Sequence, residues 1–462
     1  MTPAWVGLWL AACGGPGGSD GGGPRAPTDS DPATDSQVDT STASSPTADT
    51  TGLPTASTAD TAGSSSTGHT GPTDTAPPLP MVDEALAPRC EPDFVNTPAG
   101  NALHRVTLSG AARCNDGSPP VLYVRPATDP TEDRWVVYFD GGSRCASGED
   151  CAVRWCGEGF YDATKMSSRW APEVRDIEGL HNDDPGSHFA GWNHVFVYYC
   201  SSDFWVGQQG DVVLGTDAGV DYRVHFEGAL IVDEVVEWLL AGGTSDDGLV
   251  SLDPVGDASL LLVTGSSAGG MGVTQHVDAI AEAVAPVPVK AVIDAMVTPD
   301  PALMGSPGLE KLWAAELHRQ YDDEVTTLYD ARLHEGCLAA RPAEPWRCWE
   351  PTVLQLEHLQ TPYFLHHDLR DTRLSETLRQ MGATLPGYAA ASRLLLEQVV
   401  ATRPEAGVHG AACLEHTVLS KDPWFFAHSV HGVTMHEGID AWLDGGTVQV
   451  IDGGLGGDST CP

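Results

Sequence analysis

The chain has 462 residues, 41% of them hydrophobic, enough to bury the core of one large or two ordinary domains. Its 64 acidic side chains against 24 basic ones give a formal net charge of −40. That balance excludes nucleic-acid binding by phosphate neutralisation, and it excludes charge-driven attachment to an anionic bilayer.

Residues 4–12 are apolar and too few to span a bilayer as a helix, so they read as the core of a signal peptide. The run Leu10-Ala11-Ala12-Cys13 reads as a bacterial lipobox, with Cys13 lipidated as the mature N-terminus. No Lys or Arg precedes it, which leaves an ordinary cleaved signal peptide as the alternative. Residues 14–82 are mostly Gly, Ser, Thr, Pro, Ala and Asp, with one base (Arg25) and a repeated Thr-Ala-Asp-Thr at 47–50 and 58–61. Such a composition buries too little to offset ordering entropy. The expected organisation is a signal peptide over 1–12, a lipidated Cys and disordered tether over 13–82, and one folded domain over 83–462. The expected location is the cell envelope, as an exported outer-membrane lipoprotein, or the medium. With Cys13 set aside, ten cysteines remain, which allows up to five disulfides in an oxidising compartment. Their spacing contains no paired CxxC units and no Cys/His cluster suited to zinc, and it does not reveal the pairing.

In chain order, residues 135–139, 194–199, 260–264, 291–293, 363–365 and 446–451 read as strands, and 229–240 and 388–400 as helices. Continuous apolar strands alternating with helices imply an α/β fold, a mostly parallel sheet with helices on both faces. Residues 301–360 break that rhythm and read as a helical cap insertion over the site.

The third of these strands runs into Gly265-Ser266-Ser267-Ala268-Gly269-Gly270, followed by a segment, 271–284, that can be helical. This is G-x-S-x-G in the strand–turn–helix setting of a nucleophile elbow. It presents Ser267 as the nucleophile and the Ala268 N–H as an oxyanion donor. A Walker phosphate loop is excluded because no Lys follows.

The stretch Gly265-Ser-Ser-Ala-Gly-Gly-Met-Gly-Val resembles the nucleophile motif of the pectin acetylesterase and Notum family of α/β-hydrolases. Residues 192–203, ending in Tyr-Cys-Ser-Ser-Asp, and Phe226-Glu-Gly-Ala-Leu-Ile-Val are similar to further segments of that family in the same order. The resemblance runs from about residue 90 to 460. In this fold the acid and the base follow the serine. Past the strand 363–365 lies His366-His367-Asp368-Leu369-Arg370-Asp371, where the resemblance implies Asp371 as the acid, with Asp368 as its rival. Ala412-Cys413-Leu414-Glu415-His416 resembles the family's Cys-x-x-His segment, implying His416 as the base and Cys413 as a disulfide partner. His428, His431 and His436 are the competing histidines. Asp140-Gly141-Gly142-Ser143-Arg144-Cys145 resembles the loop that supplies the other oxyanion donors, here the Gly142 and Ser143 N–H groups. The family usually carries a bulky aromatic where Ser143 stands, which puts the pocket shape in question. Asp203 and Asp294, also marked by the resemblance, read as structural hydrogen-bonding residues.

The function these residues imply is serine carboxylic ester hydrolysis through an acyl-enzyme, without metal or cofactor. The resemblance implies O-acetyl groups on a polysaccharide as substrate. Removal of a longer acyl chain from a protein or lipid is the alternative. A non-catalytic surface binding module and a serine peptidase are the remaining readings. The expected partners are an acylated glycan or other ester and, through a lipid anchor alone, a membrane. Nucleic acid is not among them, and the protein reads as a monomer.

Overall fold

A computed structural model describes residues 78–94, 103–453 and 457–462. The expected signal peptide, Cys13 and most of the expected tether lie outside the described residues. Pro80 and Met81 already pair with Arg223, ahead of a short helix at Val82–Leu86.

Ten strands form the main sheet. From one edge they run Gln449–Ile451, Gly407–Gly410, Tyr363–His366, Val289–Asp294, Leu260–Ser266, Arg134–Phe139, Asn193–Val197, Val121–Arg125, Leu103–Thr107 and Val174–Arg175. The first seven pair in parallel. The last three attach antiparallel, each to its neighbour. All six strands read from the sequence are present, and four more join them. Successive side chains of a strand point to opposite faces. Residues 261–266 are nevertheless all buried, so both faces of the central strand are covered. The helix Ala268–Ala283 packs on this strand and on Val289–Asp294, while Leu385–Thr402 and Met435–Leu443 pack on Gly407–Gly410.

The register aligns the carboxyl ends of four neighbouring strands. Ser266 is level with Asp294, Asp294 with His366, and His366 with His409. A polar row thus crosses the sheet at the end where parallel α/β sheets carry their sites.

The expected insertion is helical. It contains Leu309–Arg319 continuing as a π-helix over Gln320–Leu328, then Glu335–Ala340 and Pro351–Glu357. It grips the loop after the strand Arg134–Phe139, through Arg144 Nε to Glu324 and Tyr329 Oη to the Cys145 carbonyl.

All ten remaining cysteines pair: Cys90–Cys156, Cys114–Cys200, Cys145–Cys151, Cys337–Cys348 and Cys413–Cys461. Five disulfides belong to an oxidising compartment, so the domain is one that folds after export. Among the described residues no helix is long and apolar enough to cross a membrane.

Candidate active site

The strand Leu260–Ser266 ends in a turn that only its sequence permits. Ser267 has φ +56° and ψ −119°, a conformation L-residues rarely adopt. Its N–H donates to the Asp294 carbonyl at 2.9 Å, which fixes the turn to the neighbouring strand. The flanking glycines are required by space. A Cβ on Gly265 would lie 2.4 Å from the Gly269 carbonyl oxygen, and one on Gly269 would lie 1.9 Å from the Phe139 carbonyl oxygen. The helix that follows begins at Ala268, three residues before the expected start.

Ser267 Oγ donates to His416 Nε2 at 2.8 Å, and His416 Nδ1 donates to Asp371 Oδ2 at 2.8 Å. The carboxylate on Nδ1 fixes the tautomer that leaves Nε2 as an acceptor. Asp371 is fully buried, and its Oδ1 accepts the Arg373 and Leu374 N–H groups at 2.8 and 2.9 Å. The loop carrying His416 is anchored twice. The Cys413–Cys461 disulfide holds its start. Asp294 Oδ2 holds its end by accepting the Val418 and Leu419 N–H groups at 3.0 and 3.2 Å, and also accepts from Ser266 Oγ at 2.6 Å.

The competing residues lie elsewhere. Asp368 accepts from His428 Nε2 at 2.9 Å and makes no contact with His416. His431 is exposed beside Asp458, and His436 Nε2 accepts the His188 N–H at 2.9 Å. Asp203 accepts four hydrogen bonds, from Ser201 Oγ and from the Trp205, Gly207 and Gly228 N–H groups. Burial lifts its carboxyl to about 6 against the pull of those donors. Both Asp203 and Asp294 thus hold backbone in place.

The Gly-Gly loop lies against the nucleophile. A Cβ on Gly141 would be 2.7 Å from the Ser266 carbonyl oxygen, and Gly142 has φ +152°. The carbonyls of this loop are turned inward and held, that of Gly142 by Arg154 Nη2 and that of Ser143 by Tyr199 Oη, each at 2.7 Å. Among the described residues the Gly142 and Ser143 N–H groups have no hydrogen-bond acceptor. Ala268, as the first helical residue, has no intrahelical acceptor for its N–H either.

Ser267 and His416 open into a cavity of about 460 Å³. Its walls include Tyr138, Asp140, Gly141, Gly142, Phe160 and Lys165. Thr372, Arg373, Leu414 and Glu415 complete the opposite side. Gly142 borders this cavity, whereas Ser143 and Ala268 do not. No residue of the 301–360 insertion borders it either; that segment buttresses the loop from behind, and the walls come from 160–165, 372–373 and 414–421.

Sequence reasoning missed Arg154 and Lys165. Arg154 is a buried guanidinium over the Tyr161 ring, 4.9 Å from its centroid, and burial lowers its pKa. Burial also pushes the Lys165 ammonium down, against the opposing pull of its partner Asp140. Neither lies in a motif, and the only signal was their charge in a base-poor chain.

Comparison with known proteins adds three findings. A family model described as pectinacetylesterase matches residues 99–385, which include Ser267 and Asp371 but stop before His416. Palmitoleoyl-protein carboxylesterase Notum of Schmidtea mediterranea is 26% identical over 351 residues, 74% of this chain and 62% of that protein. The human protein of the same name is 36% identical over 184 residues, 39% of this chain and 32% of that protein. The chain thus spans less than two thirds of the length of these relatives. The crystal structure of the Wnt deacylase Notum from Drosophila superposes with a TM-score of 0.62 at 26% identity, covering 77% of this chain and 97% of that one. The likeness extends over nearly that whole structure, and the fold here is that of an α/β-hydrolase.

Proposed function

The chain belongs to the pectinacetylesterase family, and from that premise we propose that it is a serine carboxylic ester hydrolase working through an acyl-enzyme. The observation that carries the proposal is the continuous hydrogen-bonded chain from Ser267 through His416 to buried Asp371, opening on a cavity. In this reading Ser267 Oγ attacks the ester carbonyl as His416 Nε2 takes its proton. The developing oxyanion is met by N–H groups of Gly142, Ser143 and Ala268. His416 then returns the proton to the leaving alcohol, and water repeats the sequence to release the acid. Asp371 holds the imidazole in the productive tautomer. Replacing Asp371 with Asn is expected to lower kcat by about 10⁴-fold with little change in KM, measured on a p-nitrophenyl ester.

The substrate proposed is an O-acetyl group on a polysaccharide. The cavity walls favour it. Asp140, Lys165, Thr372, Arg373, Glu415, Thr417, Ser420 and Lys421 leave only Tyr138, Phe160, Tyr161 and Leu414 as large apolar surface. A long acyl chain needs a predominantly apolar pocket to offset its transfer from water. The relatives' name supports the second reading, removal of a fatty acyl group from a protein. A series of p-nitrophenyl esters from acetyl to palmitoleoyl separates the two: kcat/KM is expected to fall by at least about tenfold between the acetyl and decanoyl members. A rise along the series would transfer the assignment to a long-chain deacylase. Display of this activity from a lipidated Cys13 on a polar tether is part of the same proposal.

A further inference from the structure

We infer that the fold carries a second, wholly buried site built to hold one divalent transition-metal ion, with His366, His409 and His428 as its ligands.

Three strand and loop segments far apart in sequence bring these histidines together. His366 ends the strand Tyr363–His366, His409 lies beside it in register on Gly407–Gly410, and His428 caps the helix Asp422–Ala427. All three are fully buried. One ligating atom from each lies within 4.8 Å of the others. Nitrogens bound to one Zn²⁺ at about 2.0–2.1 Å each are about 3.4 Å apart, inside that limit.

The hydrogen bonds then fix what each ring offers. His366 Nδ1 is 2.7 Å from Asp294 Oδ1. His409 Nε2 is 3.1 Å from the Val433 carbonyl oxygen, and His428 Nε2 is 2.9 Å from Asp368 Oδ1. Each partner is an acceptor, so each of these nitrogens carries the proton. The other nitrogens, His366 Nε2, His409 Nδ1 and His428 Nδ1, have no hydrogen-bond partner among the described residues. His409 Nδ1 and His428 Nδ1 therefore present lone pairs among buried residues, and His366 Nε2 faces the Asp368 carboxylate at 3.6 Å, where a bound cation would take the place of a proton. One ring nitrogen on a carboxylate or carbonyl and the other on the ion is the arrangement metal-binding histidines adopt. A buried acceptor left without a donor is costly, and a cation between these nitrogens would relieve that cost.

Asp368 adds charge at the edge of the cluster. Its Oδ1 is 3.6 Å from His366 Nε2, and its Oδ2 has no hydrogen bond among the described residues. It supplies negative charge to balance a dication. Cys413 approaches Asp368 and His428 too, but its sulfur is committed to Cys461 and is not a thiolate ligand. Three neutral imidazoles suit Zn²⁺ and its neighbours among the transition metals rather than Mg²⁺ or Ca²⁺. The site is distinct from the proposed ester chemistry, since none of its three histidines borders the cavity at Ser267. Its effect is to lock together the strand ends that lead to Asp371 and His416.

The test uses the full chain with its disulfides intact. Protein produced in zinc-containing medium is analysed for metal by mass spectrometry, then unfolded and refolded with a chelator, with ZnCl₂ or with CoCl₂. One zinc per chain is expected, with a melting temperature higher by about 3 °C or more with ZnCl₂ than with chelator. The Co²⁺ form should show the intense visible d–d bands of a low-coordinate nitrogen site. Ser267→Ala should retain the metal in full, and His409→Ala should lose it. No bound metal, no melting shift and no d–d bands in the wild-type chain would overturn the inference. So would zinc that stays bound in His409→Ala, because that places it on surface histidines. The esterase reading survives either outcome.

Discussion

Ser267→Ala is expected to lower kcat on any ester substrate by about a million-fold while leaving the melting temperature within about 1 °C. Among the described residues the hydroxyl's one hydrogen bond is to His416 Nε2, at 2.8 Å. Nothing in the core depends on it, so a large loss of rate without loss of stability isolates chemistry from folding. Ser267→Gly sharpens the test. The φ of +56° burdens Ser and Ala equally, and Gly adopts it freely. The Gly variant should therefore be equally inactive yet more stable than wild type by about 1 kcal/mol in chemical denaturation. Ester hydrolysis that persists in either variant would remove Ser267 from the mechanism. A Gly variant less stable than Ala would show that the turn is not strained.

The second large effect is expected at Gly269. Its Cβ would be placed 1.9 Å from the Phe139 carbonyl oxygen, which is backbone in the adjacent strand and cannot rotate away. Gly269→Ala should cost about 3 kcal/mol or more, forcing helix and strand apart. The same shift would move the Gly-Gly loop after Phe139 away from Ser267, so activity should fall further than the unfolded fraction explains. Gly256→Ala is the matched control. It has no neighbour within 4 Å of the added carbon, and no change beyond about 0.5 kcal/mol is expected there. Equal urea midpoints for the two variants would refute the packing argument.

The central strands were legible because they are buried on both faces and read as unbroken apolar runs. Trp135 to Phe139 and Leu261 to Val263 are of this kind. Gly407–Gly410 is just as buried but escaped notice, and the reason is steric. A Cβ on Gly407 would lie 2.1 Å from Phe364, and one on Gly410 would lie 2.4 Å from Leu396. Bulk there is supplied by neighbours from distant sequence, so the strand itself shows no hydrophobic signal. Leu103–Thr107, whose apolar run is broken by His104 and Arg105, pairs antiparallel with Val121–Arg125 at the far side of the sheet. At the site, Ser267 was marked by its pentapeptide, while Asp371 and His416 needed the family resemblance to stand out among many Asp and seventeen His. Arg154 and the His366, His409 and His428 cluster carry no local pattern at all. Their partners are set by tertiary register, as when His366 meets Asp294 across two strands.

The hydrogen-bonded chain at Ser267 joins residues 149 positions apart to His416, and His416 to a carboxylate 45 positions away. Its three members stand after three different strands of one sheet, and the last is tethered by a disulfide formed at Cys461. A chain that has not brought these three strands together cannot hold all three at bonding distance. Labelling by a serine-directed fluorophosphonate therefore becomes a census of finished molecules: each tagged chain has closed its sheet and seated the loop that carries His416. The time course of labelling during oxidative refolding would report when Ser267, His416 and Asp371 come together, whatever the order of the earlier steps.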